Sequence, residues 1–281
     1  MSEATLTRDA LATRAQLNDG SRMPWVGLGA YRIASGKPCV QAVRHALSVG
    51  YRHIDTATFY GNEEDVGRAV RESGIAREEV FVVTKLWNSD QGYASAIAAC
   101  RESLAKLRLD YIDLYLIHWP EPRKRLDSWR ALVELRKQGK CRSIGVSNYT
   151  IAHLAELMAH SDVVPSVNQV EFSPFLFQRE LLDFCRSRGI QLEAYCPLTR
   201  GQKLGDPVLR AVAGRYGKTP AQILLRWALQ HEVVVIPKSA HPARIEENAA
   251  LFDFTLEKHD MAALDALHAN FRACWDPTRV A

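Results

Sequence analysis

The stretch Asp113-Leu114-Tyr115-Leu116-Ile117-His118-Trp119-Pro120 decides how the rest of the chain is read. From Leu114 to Ile117 the residues are aliphatic or aromatic without a polar break, the pattern of a strand buried on both faces. Pro120 has no N–H to give a ladder and ends the pairing. His118 is therefore expected at the C-terminal mouth of a parallel strand. In a barrel of parallel strands, that mouth is where chemistry is placed.

Comparable segments recur on either side. Short apolar runs at 26–30, 51–55 and 80–85 upstream, and at 143–146, 166–170, 190–195 and 233–236 downstream, predict strands. Between them, apolar residues at helical spacing predict helices over 37–49, 62–73, 93–107, 126–138, 151–160 and 178–188, several followed by glycine. Helices over 207–216 and 220–230 open on proline, and helices over 243–250 and 258–269 close the chain ahead of an irregular tail. Residues 16–25 predict a hairpin turning at Asn18-Asp19-Gly20. Eight strands alternating with helices, without a linker or a shift in composition, predict a single (β/α)8 TIM barrel over 17–281. It carries an N-terminal β-hairpin and extra C-terminal helices, and a flexible polar arm over 1–16 precedes it. An open doubly wound sheet is the alternative. Its dinucleotide-binding form carries Gly-x-Gly-x-x-Gly, but Gly27-Leu28-Gly29 is followed by Arg32 where the third glycine belongs.

The 281 residues are 47% hydrophobic, enough for the large core that such a barrel requires. The net charge of +4 comes without a basic block, which argues against nucleic acid and suits an anionic small ligand. No apolar run has the length of a membrane span. The six cysteines are scattered and show no finger or Cys-x-x-Cys spacing. They read as reduced thiols of a cytoplasmic protein, and no metal site is expected from them or from the dispersed histidines.

Four polar residues stand at or just past strand ends: Asp55, Tyr60, Lys85 and His118. Singly, each has an ordinary reading as a cap, a solvated strand end, a loop aromatic or a core histidine. Together, at one barrel mouth, they form a proton-donor site. A phenol titrates near 10, and an adjacent ammonium is expected to lower that value. Asp55 would hold Lys85 in place, and His118 would bond the substrate oxygen. A Schiff-base aldolase using Lys85 is the competing enzyme reading, and a non-catalytic nucleotide binder is a third.

Gly50-Tyr51-Arg52-His53-Ile54-Asp55-Thr56-Ala57, Tyr60-Gly61-Asn62-Glu63-Glu64, Thr84-Lys85-Leu86-Trp87-Asn88, Leu116-Ile117-His118-Trp119-Pro120, Ile144-Gly145-Val146-Ser147-Asn148, Asn168-Gln169-Val170-Glu171 and Ile236-Pro237-Lys238-Ser239 occur in this order. Over about residues 18–267 the chain resembles the aldo-keto reductase superfamily, in the style of its diketogluconate reductase-like and prostaglandin F synthase-like branch. The resemblance implies a monomeric barrel reducing aldehydes and ketones with NADPH. Tyr60 would be the general acid of the tetrad Asp55, Tyr60, Lys85 and His118. It places Ser147, Asn148 and Gln169 at the nicotinamide carboxamide and Tyr195 under the nicotinamide ring. Leu198, Arg200 and Gly201 fall near the pyrophosphate. Lys238, Ser239 and Arg244 fall at the adenosine 2′-phosphate, and Glu247 and Asn248 at the adenine. Trp25, Trp87 and Trp119, with Tyr60, would wall a pocket for an apolar or aromatic carbonyl compound. Ser147 and Asn148 have an alternative reading as a helix N-cap and turn. Two local departures stand out: Cys196 where the family has serine before Pro197-Leu198, and Ser173 where histidine is common before Pro174. Cys196 would either alter the pyrophosphate side of the cleft or make it sensitive to oxidation, and the short tail suggests an open pocket.

Overall fold

A computed structural model describes residue 11 and residues 13–280. A hairpin, β1 (Arg14–Gln16) and β2 (Arg22–Pro24), comes first. Its first strand falls inside the span read as a polar arm, so the folded hairpin begins earlier than expected. Of the rest of that arm, residues 1–10 and 12 lie outside the described residues, and Leu11 is buried in the core. The turn is closed by the Leu17 N–H on Ser21 O at 2.9 Å, with Gly20 at φ 90°.

Eight parallel strands follow: β3 (Leu28–Gly29), β4 (His53–Asp55), β5 (Phe81–Leu86), β6 (Ile112–Ile117), β7 (Cys141–Ser147), β8 (Val167–Glu171), β9 (Gln191–Tyr195) and β10 (Val234–Val235). Each pairs with its sequence neighbour. The ends of the sheet meet through parallel bridges Val26–Val235 and Gly29–Lys238, which close the barrel. Glycine is required at this seam, because a Cβ on Gly29 would lie 2.8 Å from the Ile236 carbonyl oxygen.

Helices α1 (Lys37–Val49), α2 (Glu63–Arg71), α3 (Tyr93–Leu107), α4 (Arg125–Lys137), α5 (Ile151–Ala159) and α6 (Arg179–Ser187) alternate with the strands. Then α7 (Pro207–Tyr216) and α8 (Pro220–Gln230) both fall between β9 and β10, while α9 (Pro242–Ala249) and α10 (Lys258–Asp265) come after. α10 is shorter than its sequence periodicity predicts. The N–H groups of Ala269 and Phe271 leave the helix to bond the Phe175 carbonyl, at 3.2 and 3.0 Å. The tail ends in a 3₁₀ turn at Pro277–Arg279, which the sequence reading left as irregular.

Strand alternation divides the core in two. Phe81, Val83, Leu114, Leu116, Val167 and Val234 fill the barrel interior with Ala15, Leu17 and Met23 from the hairpin. Phe81 is the first residue of β5, so the hairpin stoppers the N-terminal end. Ile54, Val82, Leu86, Tyr115, Ile117, Ile144 and Val170 face outward and pack under the helices. With that parity fixed, His53, Asp55, Lys85, Ser147, Gln169, Glu193 and Tyr195 must point inward, and the pattern carried one residue past β6 sends His118 the same way.

Candidate active site

The strand C-termini open into a cleft of about 700 Å³, lined by residues from six of the connections that follow strands, by Gln169 of β8 and by the C-terminal tail. Its floor is charged. Lys85 is fully buried, and its Nζ donates to both Asp55 carboxylate oxygens at 2.7 and 2.8 Å and to the Thr56 carbonyl at 2.8 Å. The Tyr60 hydroxyl sits 3.3 Å from the same Nζ. Tyr60 reaches the floor because a single 3₁₀ turn, Thr58–Tyr60, follows β4 and ends at Gly61 with φ 68°. The His118 ring stands edge-on to Tyr60 with centroids 5.8 Å apart, and its buried Nδ1 has no hydrogen-bond partner among the described residues.

Electrostatics on this floor follow burial. Desolvation, followed by the Asp55 carboxylate and the neighbouring Tyr195 and Tyr31 phenols, pushes Tyr60 well above the ordinary phenol value. The expected lowering by Lys85 therefore fails. The ammonium is committed to Asp55, and the resulting pair offers the phenol little net positive field. Burial, with Lys85 adding to it, drives His118 well below the ordinary imidazole value, so the ring is neutral. Burial also pushes Asp55 up, against the pull of the ammonium and of the Gln169 amide.

A second buried layer lies beneath. Gln169 Nε2 donates to Asp55 Oδ2 and to a Glu193 carboxylate oxygen, both at 2.8 Å. The other Glu193 oxygen is 3.3 Å from His53 Nε2, and both side chains are wholly buried. Burial, reinforced by Asp55, raises Glu193 to about 8, and burial lowers His53 to about 3. Near neutrality the pair is thus a carboxylic acid beside a neutral imidazole. Sequence reading did not single out Glu193.

Along the cleft, Asn148 takes a positive φ of 64°. Its Nδ2 donates to His118 O at 3.0 Å and to Ser147 Oγ at 3.1 Å, and its Oδ1 accepts from the Tyr195 hydroxyl at 2.7 Å. Thr150 caps α5 by a box with His153, so Ser147 and Asn148 are not its N-cap. Cys196, Thr199 and Arg200 also take positive φ, a concentration of backbone strain on one wall. Leu198, Arg200 and Gly201 line that wall, and Lys238, Ser239, Arg244, Glu247 and Asn248 line the far end. Lys238 and Arg244 are exposed, and neither forms an ion pair with a described carboxylate, whereas Glu247 accepts the Thr219 hydroxyl at 2.6 Å.

The mouth differs from expectation. Trp25 is not in the cleft: it packs between the two core clusters at the seam, its carbonyl accepting the Val235 N–H. Tyr31 takes the wall instead, its ring 4.9 Å from that of Tyr60. Trp87 stacks on Phe59 at 4.0 Å and stands 5.1 Å from His118, so it backs the wall that Phe59 lines. Trp119 lines the cleft and faces Trp275, 62% exposed, at 6.0 Å. Tyr31, Phe59, Cys274 and Trp275 were missed. The aromatic next to Gly29-Ala30 and the tryptophan in the tail were the available signals.

A family model described as the aldo/keto reductase family matches residues 26–269. The chain belongs to this family. The glyoxal reductase of Bacillus subtilis (strain 168) is 50% identical over 95% of this chain and 97% of its own. An aldo-keto reductase from a Medee basin deep-sea metagenome library superposes with a TM-score of 0.92 at 45% identity, over 95% of this chain and 99% of its own. That of Bombyx mori, solved in complex with NADP, gives a TM-score of 0.87 at 40% identity, over 93% and 94%.

Proposed function

We propose that this reductase converts aldehydes and ketones to alcohols with NADPH, and that Tyr60 is the general acid. The observation that carries this is the Tyr60 hydroxyl 3.3 Å from an ammonium itself fixed on Asp55, at the floor of an aromatic-walled cleft. The residues present fit the cofactor. Lys238 and Arg244 offer two exposed cations to a phosphate, with Ser239 in the turn that leads into α9. Ser147, Asn148 and Gln169 offer hydroxyl and amide groups suited to a carboxamide, and Tyr195 offers an aromatic face. Leu198, Arg200 and Gly201 would flank the pyrophosphate, and Glu247 and Asn248 the adenine. Bound NADPH would supply the hydride.

The chain's own task is the proton. A phenol held above its ordinary value keeps its proton until the substrate oxygen gains negative charge. As the proton leaves, the Lys85 Nζ, 3.3 Å from the hydroxyl, is placed to donate a hydrogen bond to the phenolate oxygen. Neutral His118, with Nδ1 otherwise unpartnered, orients the carbonyl oxygen. Such proton donation contributes about 10²–10⁴ in rate. Lys85 has no exposed surface and donates to three acceptor oxygens, which disfavours it as a Schiff-base nucleophile. Small dicarbonyls head the substrate list, because the relative named a glyoxal reductase is half identical. Phe59, Trp119 and Trp275 extend it to aromatic aldehydes. We read the protein as cytoplasmic, on its scattered, unbridged cysteines, and as a monomer, which the family resemblance implies. Loss of reduced-nicotinamide absorbance, followed with NADPH and NADH against aldehydes, ketoses and dicarbonyls, tests the reading. Carbonyl-dependent oxidation of NADPH is expected, and its absence across the panel would overturn the proposal.

A further inference from the structure

Two cysteines 78 positions apart in the chain meet on the cleft wall. Glu171, the last residue of β8, is in register with Tyr195, the last of β9. Its carboxylate accepts the N–H of Ala273 at 2.6 Å and of Cys274 at 3.1 Å, which brings the tail alongside the residue after Tyr195. Cys196 Sγ and Cys274 Sγ are consequently 3.2 Å apart, and the Arg200 guanidinium is 3.2 Å from Cys274 Sγ. Both thiols are partly exposed and line the cleft.

We propose that Cys196 and Cys274 are a thiol–disulfide couple, oxidised by small hydroperoxides, whose bridge ties the C-terminal tail to the 196–201 loop. The Cys196 sulfur attacks one peroxide oxygen. The O–O bond breaks, and the departing oxygen takes a proton and leaves as water or alcohol, so Cys196 becomes a sulfenic acid. Cys274 then attacks that sulfur. The S–O bond breaks, the S–S bond forms, and the hydroxide leaves as water with the Cys274 proton. The sulfurs must close by about 1.2 Å to reach disulfide length, a shift asked of an irregular tail segment and a loop. Charge supports the order of events. The hydrogen bond donated by Cys274, helped by Arg200, draws Cys196 below the ordinary thiol value, while the shared proton stays on Cys274.

A built-in control sharpens the inference. Cys100 and Cys141 are also close, at 3.8 Å, yet they are buried between α3 and β7, where desolvation raises the Cys141 thiol. Proximity without access or thiolate character predicts no reaction there. The bridge has a consequence that rests on the proposed cofactor reading. Leu198, Arg200 and Gly201 form one wall of the cleft, and Trp275 faces Trp119 across its mouth. Joining the two fixes both, and NADPH exchange slows.

The test is to treat the full-length protein with hydrogen peroxide, alkylate, and map peptides without reduction. The expected result is loss of two of the six thiols, recovered in a single Cys196–Cys274 linked peptide and reversed by dithiothreitol. Cys274→Ser should trap a dimedone-reactive sulfenic acid at Cys196, and Cys196→Ser should give neither product. Thiol loss without that linked peptide, or a Cys100–Cys141 link in its place, would overturn the proposal. Stopped-flow fluorescence of NADPH exchange then compares oxidised with reduced wild type. Unchanged exchange in bridged protein would overturn the gating role. A bridge that forms in protein binding no NADPH in either state would refute the cofactor reading instead.

Discussion

Replacing Lys85 by methionine is the most informative single perturbation of the floor. Methionine keeps the apolar stem and removes the ammonium that touches both Asp55 oxygens, the Thr56 carbonyl and the Tyr60 hydroxyl. Asp55 is 2% exposed, so its carboxylate is left buried with only the Gln169 amide as donor. Breaking such a pair costs about 3–5 kcal/mol, and protonation of Asp55 sets the lower end. At roughly 2.1 cal/mol/K of unfolding entropy per residue, 281 residues convert about 4 kcal/mol into a fall in Tm of about 7 °C. The double variant Asp55→Asn/Lys85→Met removes the stranded charge and should recover most of that loss, while remaining inactive. Calorimetry and urea titration of both variants beside wild type measure the loss and its recovery. A single variant as stable as wild type, or a double variant less stable than the single, would refute the reasoning.

Three further outcomes follow from the same geometry. Glu193 is raised from 4.5 to about 8, so its protonated form favours the folded state below 4.5, and that contribution is lost as pH rises toward 8. Glu193→Gln should remove a downward slope of up to about 1.4 kcal/mol per pH unit between those values, read as the difference between two urea-stability profiles. His53, depressed to about 3, gives a slope of opposite sign between 3 and 6.5 that both proteins share. Arg244→Ala should weaken NADPH binding by about 1.5–3 kcal/mol, the worth of a charged hydrogen bond, and leave NADH binding unchanged, as fluorescence titration reads. Gly67→Ala on α2 puts a Cβ into the Leu107 carbonyl at the end of α3 and should cost about 1–3 kcal/mol in urea unfolding, with turnover of the surviving fold retained.

The barrel was legible because strand parity and helix periodicity repeat locally. Leu114 to Pro120 alone carries burial on two faces, a terminator and a mouth position. The convergence of Asp55, Lys85 and His118 follows from the same local signal, since each is the inward residue at its strand end. What depends on contact across the chain was not legible. Trp25 and Tyr31 stand six residues apart, and only the path of the seam decides which one faces the cleft. Glu193 meets His53 across 140 positions through the curvature of the barrel. The Tyr60 shift was misjudged because counting a nearby cation is easy from sequence, whereas desolvation and the prior claim of Asp55 are visible only in three dimensions. The Cys196 substitution was visible, but its partner lies in a tail that carries no periodicity.

The most direct test of the central claim is single-turnover reduction of an aldehyde by Tyr60→Phe loaded with NADPH. The variant should bind NADPH like wild type while its rate falls by about 10²–10⁴. A rate close to that of wild type, with cofactor bound, would contradict the assignment of the phenol as proton donor.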